Sequence, residues 1–150
     1  MAIFERISDL VRANINDLID KAEDPGKMVK QIIIDMEDQI RKATQGLGTA
    51  MGSLNQVKKQ LENAQEQSNV WQNKAKACLE QGNEDLAKQA LENKVKQDKM
   101  VAQYQEMATS MEEQVNEIKS QIDILKQKLE EARSKQAMLT ARSQMADAKT

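Results

Sequence analysis

Apolar residues recur along most of this chain at alternating spacings of three and four positions. The pattern runs from Val29 to Cys78 and then again from Ala87 to Leu139. This alternation is the heptad repeat of coiled coils, in which the apolar positions of two helices form one shared seam. The pattern therefore predicts two long helices whose apolar seams face each other.

A turn between these helices is predicted at Gly82 and Asn83. Gly82 can adopt the left-handed conformation that ends a helix, and Asn83 can cap the next one. Folding the chain back at this turn brings apolar seam positions opposite one another: Val57 and Ala108, Leu47 and Ile118, Met36 and Leu129. We therefore expect an all-α fold, a long antiparallel two-helix coiled-coil hairpin with arms at residues 25–81 and 84–144.

One polar layer interrupts the predicted seam near the turn. In the expected register Ser68 faces Gln97, and Trp71 faces Lys94 in the next layer. Polar seam residues weaken a coiled coil but restrict its register, so their matched positions support the pairing. We also expect Trp71 to lie against the stem of Lys94, with a cation–π contribution.

The first 22 residues form a separate segment, a short amphipathic helix that precedes the hairpin. Asp24 is a favourable N-cap and Pro25 a favourable first helical residue, so the pair marks a helix break, with the hairpin domain spanning 23–150. Apolar residues cover about half of the helical wheel of this segment: Ile3, Phe4, Ile7, Leu10, Val11, Ile15, Leu18 and Ile19. Such a face suits either a membrane interface or another protein surface, and the pattern alone leaves both open.

Composition narrows the classes of function. Charged residues make up 31% of the chain and aromatic residues 2%, which is typical of long helices and coiled coils. A formal net charge of −2 argues against nucleic-acid binding. The chain has no histidine, and the lone Cys78 has no activating base beside it in the pattern. We therefore expect a non-enzyme with no cofactor and no metal site, either cytosolic or peripheral to a membrane.

Several apolar residues lie outside the seam, where a hairpin of two helices cannot bury them. We expect this excess to drive self-assembly, the alternative being harmless surface residues. The candidates are Ile32, Ile34, Val70, Leu79, Leu86 and Leu91. Three glycines in the first arm, Gly46, Gly48 and Gly52, are either tolerated in a packed coil or form a flexible point or a smooth face for another helix.

Four stretches of the chain resemble a known family. The residues from Asn14 to Pro25, together with the opening Met1-Ala2-Ile3-Phe4, are similar to the N-terminal signature of the phage shock protein A family. The stretch Trp71–Ala75 and, across the turn, Glu84–Ala87 are similar to the family's hairpin tip. The resemblance extends over essentially the whole chain and implies a bacterial envelope-stress protein with the helical fold of ESCRT-III proteins.

The resemblance also implies how such a protein acts. Family members assemble into large rings or rods on the inner face of the cytoplasmic membrane, where they bind anionic lipids, respond to stored curvature stress and limit proton leakage. We therefore expect a peripheral, self-assembling protein that stabilises or remodels this membrane through residues 1–22. Family members normally continue with further helices that complete polymer contacts, so we expect a C-terminally truncated or naturally short form.

The family resemblance implies a second role as well. In some bacteria the family member binds and inhibits a AAA+ transcription activator through the hairpin. The alternative function is therefore a regulatory coiled-coil module, and the surface near Trp71 and Lys94 is the candidate site for that partner.

Overall fold

A computed structural model of the protein describes the backbone of residues 2–148 and the side chains of residues 7–148. Within these residues it has four helices: α1 (Ala2–Arg12), α2 (Ile15–Asp20), α3 (Pro25–Glu80) and α4 (Glu84–Ala148). The long helices α3 and α4 pack together as a hairpin, which confirms the predicted all-α fold. Helix α4 extends four residues beyond the predicted end of the second arm.

The turn between α3 and α4 is built as the glycine and asparagine pattern predicts. Gly82 has a φ of 77°, in the left-handed region. Its backbone N–H donates to the carbonyl of Leu79 at 3.0 Å, and the N–H of Asn83 donates to the carbonyl of Cys78 at 2.8 Å. The Asn83 side chain then accepts a hydrogen bond from the backbone N–H of Leu86. Gly82 therefore ends α3, and Asn83 caps the start of α4.

The start of α3 is also held by local hydrogen bonds. The Oδ1 of Asp24 accepts from the backbone N–H of Lys27 at 3.2 Å, as an N-cap residue does. Pro25 follows as the first residue of the helix, a position that needs no N–H donor. Asp24 and Pro25 together therefore favour a helix start at this point.

The N-terminal segment differs from the single helix expected over residues 1–22. Asn14 has an extended backbone, with φ −86° and ψ 104°, and its side chain accepts from the backbone N–H of Asp17 at 3.1 Å. Asparagine competes for backbone hydrogen bonds in this way, so it favours the start of a new helix over the middle of an existing one. The segment therefore consists of two short helices, α1 and α2, that meet at Ala13 and Asn14.

Two compact units make up the fold, one of Met1–Gly48 with Asn116–Thr150 and the other of Thr49–Val115. The first unit contains a single large cluster of buried apolar side chains, to which all four helices contribute. Its largest fully buried side chains are those of Ile7, Ile15, Ile19, Val29, Met36 and Leu125. We call the α3 and α4 parts of this unit, residues 25–48 and 116–148, the hairpin base.

The second unit is a pair of antiparallel helices joined by the turn. Its seam is closed by buried apolar residues, among them Val57, Ala75, Ala90 and Ala108. At its edge, the ammonium of Lys58 lies 3.0 Å from the carboxylate of Glu112. The seam predicted from the heptad pattern is thus the buried face of this unit.

The polar layer of the second unit differs in detail from the expected one. Ser68 donates a hydrogen bond to Asp98, the residue after Gln97, because a carboxylate offers the stronger, charge-assisted bond. The Nζ of Lys94 lies 2.7 Å from the other oxygen of Asp98. The cation over the Trp71 ring is that of Lys74, at 4.5 Å from the ring centroid, because residues three apart on one helix are neighbours.

Candidate functional site

The apolar face of α1 is directed into the core of the first unit. Ile7 and Leu10 are buried members of the large apolar cluster, and Val11 packs against its edge. Residues three and four apart lie on one side of a helix, which is why a single face of α1 supplies all of these contacts. The side chains of Ile3 and Phe4, predicted on the same face, lie outside the described residues.

Helix α2 divides its apolar residues between the core and the solvent. Ile15 and Ile19 are buried, and Ile19 has no exposed surface at all. Leu18, beside Ile19 in the chain, is 45% exposed. The face predicted to bind membrane is therefore mostly occupied by the hairpin base, while Leu18 remains open to solvent.

Two lysines of α4 bind the N-terminal segment at its polar edge. The Nζ of Lys128 donates to the backbone carbonyl oxygen of Ala13, directly after the end of α1. The Nζ of Lys135 lies 2.8 Å from the carboxylate of Asp20, the last residue of α2. Cations are favourable at the C-terminal ends of helices, where the dipole is negative. Each lysine thus interacts with the C-terminal end of one of the two short helices.

Sequence reasoning missed these two lysines. Their spacing of seven residues places them on one side of α4, but many surface lysines of a coiled coil share such a spacing. Only the burial of their side chains distinguishes them. Lys135 has a side chain that is 14% exposed, although the Asp20 side chain opposite it is 60% exposed.

The candidates for self-assembly fall into two groups. Ile32 differs from expectation, because it is a buried member of the cluster in the first unit and is already covered within the chain. Ile34 is 59% exposed on the same helix. In the second unit the four remaining candidates are exposed: Val70, Leu79, Leu86 and Leu91. Ile34 in the first unit and these four residues in the second unit are therefore not covered by other parts of the chain.

The candidate site for a regulatory partner is partly engaged within the second unit. Trp71 is half-buried, and its ring carries the ammonium of Lys74. Lys94 is also half-buried, and its ammonium contacts Asp98. The structure therefore puts both candidate residues near the polar layer, with Lys74 as the cation of the aromatic pair.

The three glycines of α3 lie in open surroundings. A side-chain carbon built at Gly46, Gly48 or Gly52 would meet no atom within 4 Å outside the local helix. None of them is needed for close packing against the described residues of this chain. Helix α3 continues through all three positions.

Two basic side chains of α3 pair with the carboxylate of Asp38 on the same helix. Asp38 pairs with Arg41 at 3.0 Å and with Lys42 at 3.1 Å. Hydrogen bonds from Arg41 and then Lys42 hold the pKa of Asp38 below its ordinary value of 3.8. Asp38 therefore stays ionised at neutral pH and ties two cations to this face.

No helix among the described residues is both long and apolar enough to cross a membrane.

Sequence comparisons relate the chain to a known family of proteins. The sequence model of the PspA/IM30 family matches residues 2–150. The membrane-associated protein Vipp1 of Nostoc punctiforme is 43% identical over 94 residues, which cover 63% of this chain and 36% of that protein. The Vipp1 protein of Synechocystis is 32% identical over 148 residues, covering 99% of this chain and 55% of the relative.

A third relative has a different name but a similar match. The phage shock protein A homolog of Deinococcus radiodurans is 33% identical over 148 residues, which cover 99% of this chain and 66% of that protein. The matched region thus spans between about a third and two thirds of the length of these relatives.

Proposed function

The chain belongs to the PspA/IM30 family, and from this premise we propose that it is a peripheral membrane-binding, self-assembling protein of the bacterial envelope-stress response. In this proposal it stabilises or remodels the cytoplasmic membrane from the inner face. Its partners are anionic lipids and further copies of itself. The names of its relatives, membrane-associated protein and phage shock protein, support this assignment.

The observation that carries the proposal is the amphipathic N-terminal segment. Its apolar face includes Ile7, Leu10, Ile15 and Ile19, and the exposed Leu18 lies beside that face. Burying one such side chain contributes about 1.5–3 kcal/mol, whether the surroundings are a protein core or an acyl layer. Once it leaves the hairpin base, the segment therefore has enough apolar surface to hold a protein at a membrane interface.

The polar side of the segment determines how strongly lipid charge contributes. Asp9, Arg12, Asp17 and Asp20 all lie on it, so it carries both signs of charge. Binding should then depend on apolar burial more than on attraction to anionic headgroups. We propose that the anionic lipid adds selectivity to an interaction that insertion drives.

Vesicle flotation tests the role of this segment. We compare the chain with a Leu18→Glu variant and with a Met107→Glu control, which places the same charge on a side chain of similar exposure in the second unit. A chain lacking residues 2–22 is a third arm. We expect Leu18→Glu and the deletion to bind vesicles of mixed phosphatidylcholine and phosphatidylglycerol less than Met107→Glu does. Equal binding by all of these chains would contradict the proposal.

Self-assembly is supported by the exposed apolar residues. Leu86 and Leu91 are both about half exposed near the start of α4. Light scattering of a Leu86→Glu, Leu91→Glu variant should give a lower mass than that of the unchanged chain at the same concentration. An unchanged mass would place the contact between copies elsewhere, and a monomeric unchanged chain would contradict assembly.

A second role as an inhibitor of a AAA+ transcription activator is supported by the Trp71 and Lys74 pair. An aromatic ring under a cation, half exposed to solvent, is a common anchor in protein interfaces. A Trp71→Ala variant that still inhibits such an activator fully would contradict this site.

A further inference from the structure

Two lysines on the same side of α4 contact the C-terminal ends of the two short N-terminal helices. Lys128 binds the carbonyl oxygen of Ala13 at the end of α1, and Lys135 binds the carboxylate of Asp20 at the end of α2. The two lysines are seven residues apart, so they lie two turns apart on one face of α4. A matched pair of contacts therefore fixes both short helices along the hairpin base.

The same segment is also held by apolar burial. Ile7, Leu10, Ile15 and Ile19 share one cluster with Leu125 and Leu129 of α4. A side chain that is buried in this cluster cannot be buried in an acyl layer at the same time. The docked arrangement and a membrane-inserted arrangement of α1 and α2 are therefore mutually exclusive.

We propose that docking of α1 and α2 on the hairpin base is a closed state that competes with membrane binding, and that Lys128 and Lys135 set how much of the protein is closed. This inference rests on the proposed function, because it assumes that the N-terminal segment is what enters the membrane. The ligand that opens the closed state is the lipid surface itself.

The polar contacts are suited to tuning this equilibrium. Apolar burial of the α1 and α2 side chains is similar in the cluster and in the acyl layer, but opening also uncovers Leu125 and Leu129 of the hairpin base, which favours the closed state. The polar contacts then adjust how strongly the closed state is favoured. The bonds of Lys128 and Lys135 exist only in the closed state. A membrane can bind only the open fraction, so the apparent dissociation constant rises as the closed fraction rises.

Charge-neutral substitution of the two lysines separates this effect from simple attraction to anionic lipid. The test variant is Lys128→Gln with Lys135→Gln. The control is Lys119→Gln with Lys126→Gln, which removes two exposed charges at the same spacing on the same helix. Both changes weaken attraction to an anionic surface equally, but only the first releases α1 and α2.

Titration with vesicles compares the membrane affinities of the two variants. With vesicles of phosphatidylcholine and phosphatidylglycerol, the test variant should bind about fivefold to tenfold more tightly than the control, from the loss of one charge-assisted bond and one partly exposed ion pair. Equal or weaker binding by the test variant would overturn the proposal. Without vesicles, amide exchange of residues 2–20 should be faster in the test variant. Unchanged exchange would show that Lys128 and Lys135 do not hold the closed state, which also contradicts the proposal.

A covalent lock provides the converse experiment. A Cys78→Ser chain with Asp20→Cys and Lys135→Cys is joined by a short bis-maleimide, and the same chain blocked with a monofunctional maleimide is its control. The joined chain should lose vesicle binding that the blocked chain keeps. If both bind equally while deletion of residues 2–22 abolishes binding, the switch is wrong and the proposed function stands. If the deletion leaves binding intact, the proposed function itself fails.

Discussion

Leu18 and Ile19 are consecutive residues of α2 with opposite surroundings: Ile19 has no exposed surface, whereas Leu18 is 45% exposed. Ile19 belongs to the cluster that joins α2 to the hairpin base. Leu18 lies on the solvent side of the same turn. Substitutions at the two positions therefore separate docking of the segment from the properties of its solvent-exposed side.

Alanine substitution of these neighbours should separate stability from binding. Ile19→Ala removes a fully buried side chain and should weaken the first unit by about 2–5 kcal/mol. Leu18→Ala should change the free energy of unfolding by no more than about 0.5 kcal/mol, because the side chain is largely in solvent. Amide exchange of α2 measures both changes. Similar losses for the two variants would contradict the docked position of α2.

Replacing the three glycines of α3 with alanine tests whether they have a role beyond the helix itself. Alanine at Gly46, Gly48 or Gly52 should stabilise the helix by about 1 kcal/mol each, because no neighbouring atom obstructs the added carbon. Gly82→Ala is the opposing control and should cost about 1–2 kcal/mol, because its φ is 77°. Thermal unfolding followed by circular dichroism measures these changes. A stable alanine variant that fails to assemble would assign the glycine to a contact between copies.

The polar layer of the second unit should make stability depend on pH. Hydrogen bonds from Lys94 and then Ser68 hold the pKa of Asp98 below its ordinary value of 3.8. A carboxyl whose pKa is lower in the folded state stabilises the fold above the unfolded value, and this stabilisation is lost as pH falls through the folded pKa. The interaction of Asp98 is therefore complete at neutral pH and weakens only in acid.

An Asp98→Asn variant makes this dependence measurable. At pH 7 it should melt at a lower temperature than the unchanged chain, and the gap should shrink as pH falls below 3.8. Glu92→Gln removes one exposed charge from the same helix and is the control for net charge. A gap that is constant from pH 7 to strong acid would show that the charge of Asp98 is not what matters.

The sequence predicts the hairpin well because its signals are local and periodic. The heptad spacing identifies the seam, and Gly82 with Asn83 identifies the turn by the conformation and hydrogen bonds that those residue types favour. The hydrogen bond from Ser68 to Asp98, the residue after Gln97, could not be predicted in this way, because heptad positions give a register but not the reach of an acidic side chain. The break at Asn14 was missed because a polar residue on an apolar face also fits a continuous helix.

The docking of the N-terminal segment could not be predicted in the same way. An amphipathic pattern shows that one face of α1 and α2 needs burial, but it does not say what covers that face. Ile32 lies outside the predicted seam, yet the structure buries it in the cluster that also contains Ile7 and Leu10. Contacts of this kind depend on the three-dimensional path through Asn14 and Asp24.

The most direct test of the account is the environment of position 18 with and without a membrane. In a Cys78→Ser chain, an environment-sensitive fluorophore is attached at Leu18→Cys, where an exposed side chain tolerates it, or at Met107→Cys as the control. With anionic vesicles, we predict a blue shift and a gain in intensity at position 18 and no change at position 107. An unchanged spectrum at position 18, or equal shifts at both positions, would contradict insertion of the N-terminal segment.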